Sequence, residues 1–600
     1  MKKPIFTNTH GRKRPFLHTL LALTLLTLVP LIWLTVRAQV SNQAYLPVIY
    51  SPPLPTPQVS DSPAYGVNFI SAPERIANEE QFQNGVSTGA AWNRWPMYWF
   101  NVERSAGLFC WNPTISGCDG APDTDTAVIQ DINHGLKSNA ILLGTPGFYI
   151  TGLASHASNE TIRRNGFEIQ TINTATPQGL YASVFTDGSD TPGAGKQINP
   201  ENKWAMYVFT AVSRYKPGGV LAQQQGWSSG VGITHWEMWN EPDLTIFWDS
   251  SLADFARLQK VGYLAAKQAD ANAQVLFGAL ANNSSLPNYY GDVLTIYDDD
   301  PLAATHGYFH DILATHSYFT AWQSWYHVFR ATNTMGAHGL SKPIWLNESG
   351  VPAWNDYPGP VWDAHSSLRA TMDEQASYII QSAMYATFAG ADAIFHFQLY
   401  DGCGNQPAFT DFPPHNGELC DANGMLITDS TKPCAGDANG LFRNPSNDPS
   451  FSCFTQHPQA GTARPNFAAY RVLTTYLTNV TPYLRQRLGA PKCVGPFNGQ
   501  MVEPIEVIGF EQPGTGKRVV GLWTLCGDNE TAVLTATNPA GTATLVYPDG
   551  STQAISAQNG SYTIQLPGAT NRNPYPGAEY PAPFYPIGGR PVILVESMSN

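Results

Sequence analysis

Apolar runs and helical stretches alternate through the middle of the chain. Residues 65–70 (YGVNFI) are a short apolar run, and 90–100 (AAWNRWPMYWF) are a second. A helical stretch over 124–137, with Thr124 as a possible N-cap, leads into the strand-like run 140–147 (AILLGTPG). Residues 202–215 read as a helix, followed by GITHWEMWNEPD as a fourth strand. Phe255, Leu258, Val261 and Leu264 repeat at helical spacing, which predicts a helix over 253–269. Three more apolar runs follow at 274–280, 311–319 and 343–350. The helical pattern 374–389 precedes an eighth run, 393–401, and 464–477 predicts a closing helix.

Eight apolar runs with helices between most of them imply parallel strands joined by crossover helices. Eight such units close into a (β/α)8 TIM barrel, predicted here over 63–485. Residues 151–200 and 401–460 are then long loop insertions. A doubly wound open sheet is the alternative, but no GxGxxG follows any of these strands. Beyond about 490 the texture changes to short β-rich runs (IEVIGF, RVVGLWTL, TAVLTAT, SYTIQL, PVILVES) parted by Gly, Pro, Asn and Asp. This predicts a C-terminal antiparallel β-sandwich over 486–600.

The beginning of the chain has another pattern. Lys2, Lys3, Arg12, Lys13 and Arg14 precede an apolar stretch over 16–36. Residues 1–38 therefore read as a cleaved signal peptide or a retained membrane anchor, and either would export the remainder of the chain. Residues 39–62 include the Pro-rich spacer SPPLPTPQVSDS. Eight cysteines suit an exported chain as disulfides, with sequence neighbours as expected partners. The expected location is extracellular or at the cell surface. A net charge of −13 with only 33 Lys plus Arg argues against nucleic acid as partner. Aromatics at 12% nearly equal charged residues at 13%, which suits stacking on a neutral polar ligand such as a sugar.

Two apolar strands stop in the same pair, Asn240-Glu241 and Asn347-Glu348. In a barrel, polar residues at the C-terminal strand ends line the active site. Closure would bring the two acids, distant in sequence, face to face. Two carboxylates across a pocket are the machinery of glycoside hydrolysis, one protonated to release the leaving sugar and one ionised to attack. No metal or organic cofactor is required by that chemistry.

HWEMWNEPDLTIFW resembles the acid/base signature of clan A retaining glycoside hydrolases, and its Phe247-Trp248 run is most similar to glycoside hydrolase family 39. KPIWLNESG resembles that clan's nucleophile strand. The resemblance implies Glu241 as acid/base, Glu348 as nucleophile and Asn240 as a contact of the sugar hydroxyl beside the anomeric carbon. The sequence departs from family 39 in two places: Asn347-Glu348 stands where Thr-Glu is usual, and FHFQLYD lacks the Trp that often closes the eighth strand.

His316 and Tyr318 end the sixth strand; Tyr318 is expected to bond the nucleophile and His316 to line the pocket. Arg94 is either a fixed cation orienting the nucleophile or part of a structural ion pair. His396 and Gln398 lie two apart on one strand and so are expected to share a face toward the sugar. Trp322, Trp325 and Trp354 are either stacking platforms or core. Glu237, four residues before Glu241, is expected to point into the barrel lower down. The expected function is an exported retaining glycoside hydrolase acting on a carbohydrate. A transglycosylase with the same site and a non-catalytic carbohydrate-binding surface protein are the alternatives.

Overall fold

The computed structural model describes residues 62–150, 161–164, 167–170, 176–353, 355–356, 370–401, 425–426, 429–433, 438–445, 459–495, 500–571 and 584–598. The basic and apolar N-terminal segment, the Pro-rich spacer up to Asp61, Trp354, part of the predicted insertion 151–200 and most of that at 401–460 lie outside them.

Each barrel strand is a run of buried, mostly apolar or aromatic residues. They are β1 (Ala64–Asn68), β2 (Trp92–Tyr98), β3 (Lys137–Leu143), β4 (His235–Asn240), β5 (Gln274–Leu280), β6 (Ile312–Tyr318), β7 (Ile344–Gly350) and β8 (Ala391–His396). They close in sequence order, every neighbour parallel, with β1 paired to β8 through Ala64 and Ala393. The helices that follow them are α1 (Glu79–Ser87), α2 (Thr124–Asn133), α3 (Lys203–Tyr215), α4 (Leu252–Ala269), α5 (Tyr289–Asp298), α6 (Gln323–Ala337), α7 (Met372–Ala389) and α8 (Pro465–Tyr476). A βαβ crossover needs such a helix to return the chain to the same end of the sheet.

Local chemistry fixes where the helices begin. Ser251 with Asp254 and Thr371 with Glu374 form reciprocal capping boxes that satisfy otherwise unpaired amides. At α2 the cap is Asp123, not Thr124: its carboxylate accepts from the Thr126 amide at 2.9 Å. Asp is as good a cap as Thr or better, and here it stands one position earlier.

Alternation sends one face of each strand to the helices and the other to the barrel axis. The lower axis is filled by aromatic groups: Trp92, Trp345 and His235 meet with ring centroids 4.6–5.1 Å apart, and Phe395 lies 5.6 Å from Trp345. The barrel is therefore plugged below and polar above.

The C-terminal domain has a six-stranded antiparallel sheet of β9 (Thr481–Leu488), β10 (Ile505–Gln512), β11 (Lys517–Thr524), β13 (Thr542–Val546), β14 (Thr552–Ser556) and β16 (Val592–Ser597), in the order β9-β10-β11-β16-β13-β14. A separate pair, β12 (Glu530–Thr535) with β15 (Ser561–Leu566), covers one face. The sheet starts inside the stretch expected to belong to the barrel, since β9 pairs from Thr481 to Glu511. Pro482, Arg485 and Arg487 obscured it as a strand; an edge position tolerates all three.

Val507, Val520 and Leu522 face the β12–β15 pair, while Phe510, Val519 and Trp523 belong to the same core as α7 of the barrel. At Gly521 a Cβ would lie 2.2 Å from Met384 Sδ of α7, so any side chain there would displace the Met384 thioether. Barrel and sheet belong to one compact unit, Val59–Asn600. Cys110–Cys118 and Cys493–Cys526 are disulfides. Cys403, Cys420, Cys434 and Cys453 lie outside the described residues.

Candidate active site

The polar upper end of the axis is built by three local irregularities. In β4 the alternation places His235 and Glu237 inward, with Trp236 and Met238 outward. Trp239 would point inward next. Its φ of 75° turns it out instead, against Trp204 and Trp248, and its indole N–H donates to the Phe247 carbonyl at 2.8 Å. A bulky residue in the left-handed region is rare, and such strain persists where surrounding structure holds it. Its result is that Asn240 and Glu241 follow on the side of the axis. Glu241 itself has φ 42°. The neighbouring strand makes room through Gly278, where a Cβ would lie 2.5 Å from the Met238 carbonyl oxygen. The third irregularity is in β7: the register with β6 slips so that Thr315 pairs with Leu346 but His316 with Glu348. The extra residue is Asn347, and both Asn347 and Glu348 reach groups on the axis.

Glu241 and Glu348 then face one another. An oxygen of each and a ring nitrogen of His316 all lie within 4.8 Å of one another. His316 Nδ1 is 2.6 Å from Glu241 Oε1 and 3.4 Å from Glu348 Oε2. Glu348 is also held by the Arg94 guanidinium and by the Tyr318 hydroxyl, which donates to Oε2. Arg94 Nη2 donates to Asn240 Oδ1 at 2.8 Å. All of these residues but Tyr318 are at least nine-tenths buried.

The two carboxylates have opposite electrostatic settings. Burial alone would raise Glu348, but His316, Arg94 and Tyr318 more than reverse it, so its pKa lies below the ordinary value. Burial raises Glu241; His316 opposes this, the Glu348 charge adds to it, and the net shift is upward. His316, despite its burial, is shifted upward by the two acids. Among the described residues these three are the one group with donor atoms close enough to share a cation. The positive charge already beside them is Arg94, which serves as counter-ion to Glu348.

Glu237 lies one layer below, fully buried, and pairs with Arg94. Arg94 thus contacts both acids, Glu237 within the barrel and Glu348 at the site. His396 turns the other way from its expected face. It lies between the inward Phe395 and Phe397 positions, so alternation points it outward, where Nε2 is 2.9 Å from the Asn439 carbonyl and the ring lies 6.1 Å from Tyr470 of α8. Burial pushes its pKa down to about 4, so it is neutral there. Gln398 is buried just past β8, with its backbone carbonyl accepting from the Leu441 amide at 3.1 Å. Phe397, between them, packs edge-on 6.0 Å from Tyr318, beside the site.

Trp322 stands at the start of α6, half-buried against the core, 5.8 Å from the Tyr326 ring. Trp325 stacks on Phe329, and the Arg485 guanidinium lies 4.6 Å over its ring. Its faces are used within the protein.

Some supports are not visible from sequence. Asp243 accepts from the Ala281 and Asn283 amides at 2.9 and 2.8 Å and so ties the loop after β5 to Glu241's loop. His327 Nδ1 lies 3.0 Å from the His316 carbonyl. Asn139 donates to Glu237 at 2.8 Å. Asn139 follows Lys137 and Ser138 and precedes the apolar run 140–147, so nothing in the sequence marked it as an inward barrel position.

No family model matches the chain, and no curated protein does. Solved structures do. A family 39 glycoside hydrolase from the gut symbiont Bacteroides cellulosilyticus WH2 is 15% identical, over 89% of this chain and 81% of its own, with a TM-score of 0.51. A family 51 alpha-L-arabinofuranosidase from Bifidobacterium longum is 13% identical over 90% and 97%, with a TM-score of 0.49. A monomeric beta-xylosidase from Caulobacter crescentus CB15 is 14% identical over 91% and 98%, with a TM-score of 0.48. At such identities the likeness is one of fold. The family 39 structure shares the architecture that the sequence resemblance implied.

Proposed function

We propose that this protein is an exported retaining glycoside hydrolase. The observation that carries the reading is the facing pair, Glu241 and Glu348, with oxygens within 4.8 Å and opposite electrostatic settings. A gap of about 5 Å between carboxyl groups suits direct attack, whereas inversion needs roughly 6.5–9.5 Å to admit a water. Glu348, kept ionised by Arg94 and Tyr318, attacks the anomeric carbon. Glu241, whose pKa burial raises, gives its proton to the departing glycosidic oxygen. Glu241 then takes a proton from water, and that water's oxygen displaces Glu348 and releases the sugar with its starting configuration.

Asn240 supports the positioning of the substrate. Its Oδ1 accepts from Arg94, so its amide N–H2 is the group to offer the hydroxyl beside the anomeric carbon. Two disulfides among the described residues, together with the basic and apolar N-terminal segment, support export into an oxidising compartment.

The test is a panel of aryl pentosides and hexosides with the parent, Glu241→Ala and Glu348→Ala. The parent should release product of unchanged anomeric configuration, read by NMR. Glu348→Ala should be inactive. Glu241→Ala should keep cleavage of an activated aryl leaving group, which needs no proton, and added azide should give a glycosyl azide. Unchanged hydrolysis by Glu348→Ala sinks the assignment.

A further inference from the structure

The proposed chemistry uses two carboxylates and leaves a third, Glu237, without a role. It lies on the barrel axis one layer beneath the pair and is 0% exposed. Its Oε2 accepts from Arg94 Nε at 2.9 Å, from Asn139 Nδ2 at 2.8 Å and from Asn347 Nδ2 at 2.8 Å. Its Oε1 accepts from Arg94 Nη2 at 2.6 Å. The guanidinium fork is thus seated on Glu237, and only Nη1 reaches Glu348. Asn347 binds this lower acid from the position beside the upper one, so the β7 bulge fastens the two layers together.

One cation therefore serves two buried carboxylates. A lone Arg94 would give its whole charge to Glu348 and would over-stabilise a group that must become a nucleophile. A lone Arg94 would also lack the fork that fixes its plane. We propose that Glu237 is a positioning residue that holds the Arg94 guanidinium and divides its charge between itself and Glu348, setting the basicity of the nucleophile. The functional part of this inference rests on reading Glu348 as the nucleophile. The charged and titratable groups facing Glu348 are Arg94 from β2, Glu241 following β4, and His316 and Tyr318 from β6. Those facing Glu237 reduce to Arg94, since Asn139 and Asn347 are neutral.

The experiment is a carbon NMR titration of the full chain labelled at the glutamate carboxyl carbon, with Glu241 and Glu348 assigned from their Gln variants. It needs no substrate. In Glu237→Gln the Glu348 midpoint should fall by roughly one pH unit, as expected for a carboxylate that gains the full field of an adjacent arginine. In Glu237→Asp, which keeps the charge, the midpoint should return toward the parent value. A Glu348 midpoint that is unmoved or raised in Glu237→Gln overturns the proposal and leaves Glu237 as a scaffold for Arg94. If Glu237→Gln does not fold, Arg94→Lys decides. An ammonium lacks the planar fork to serve both acids, so the Glu348 midpoint should rise, and an unmoved midpoint overturns the proposal. The aryl glycoside assay of Glu348→Ala tests the glycosidase reading separately, so the two can fail independently.

Discussion

At the scale of single residues, the site works through environment more than identity. Glu241 and Glu348 are the same amino acid, each following an asparagine, yet their settings drive their pKa values apart. Paired titratable groups pushed in opposite directions mark acid and base roles. The direction of the pH dependence is then set. As the proposed nucleophile Glu348 must be ionised, so the acid limb of kcat/KM should lie below the ordinary glutamate value of 4.5. As the proposed acid Glu241 must be protonated, so the alkaline limb should lie above 4.5. A bell-shaped profile spanning that value is expected, its two limbs being properties of the coupled pair with His316. Tyr318→Phe removes one donor to Glu348 and should move the acid limb upward, which a pH–rate series would read.

At the scale of elements, the strands were legible because each is a buried apolar run, and the two acids were legible because each interrupts such a run. Less was legible where the backbone departs from regular alternation. Counting from Gln398 puts His396 on the sugar side, but the inward phase of β8 belongs to Phe395. The inward turn of Asn240 depends on a left-handed Trp239, which no propensity would assign to a tryptophan. The position of Glu237 was legible because β4 is regular up to that point. Gly278 is the partner of this irregularity and gives a test. Gly278→Ala puts a methyl against the Met238 carbonyl and should cost about 1–3 kcal/mol, as overpacking does. It should also lower kcat, because the displaced segment carries Glu241. Denaturant melts and initial rates on one preparation would check both.

At the scale of the whole molecule, the C-terminal sheet packs against the barrel's outer helix α7. Glu506 of β10 is buried at the junction, accepting from Arg485 at 2.8 Å, Arg487 at 3.0 Å and the Tyr385 hydroxyl of α7 at 3.0 Å. Burial alone would raise its pKa; the two arginines outweigh that and lower it. Its contribution is therefore present above 4.5 and is lost as the pH falls through the folded value. Glu506→Ala leaves two arginines without their shared acid and should cost about 3–5 kcal/mol, measurable as a loss of unfolding free energy at neutral pH that narrows toward acid. Barrel closure has a consequence in time. β1 zips onto β8 through residues as far apart as Ala64 and Ala393, and the Arg94–Glu348 contact spans 254 positions. Loop-closure entropy has to be overcome before such distant partners reward one another, which slows folding. During refolding from denaturant, helix signal should therefore return well before hydrolysis does. Arg94 of β2 and Glu348 of β7 lie on either side of the β1–β8 seam, so a chain caught before that seam shuts is expected to be helical yet without its guanidinium beside Glu348.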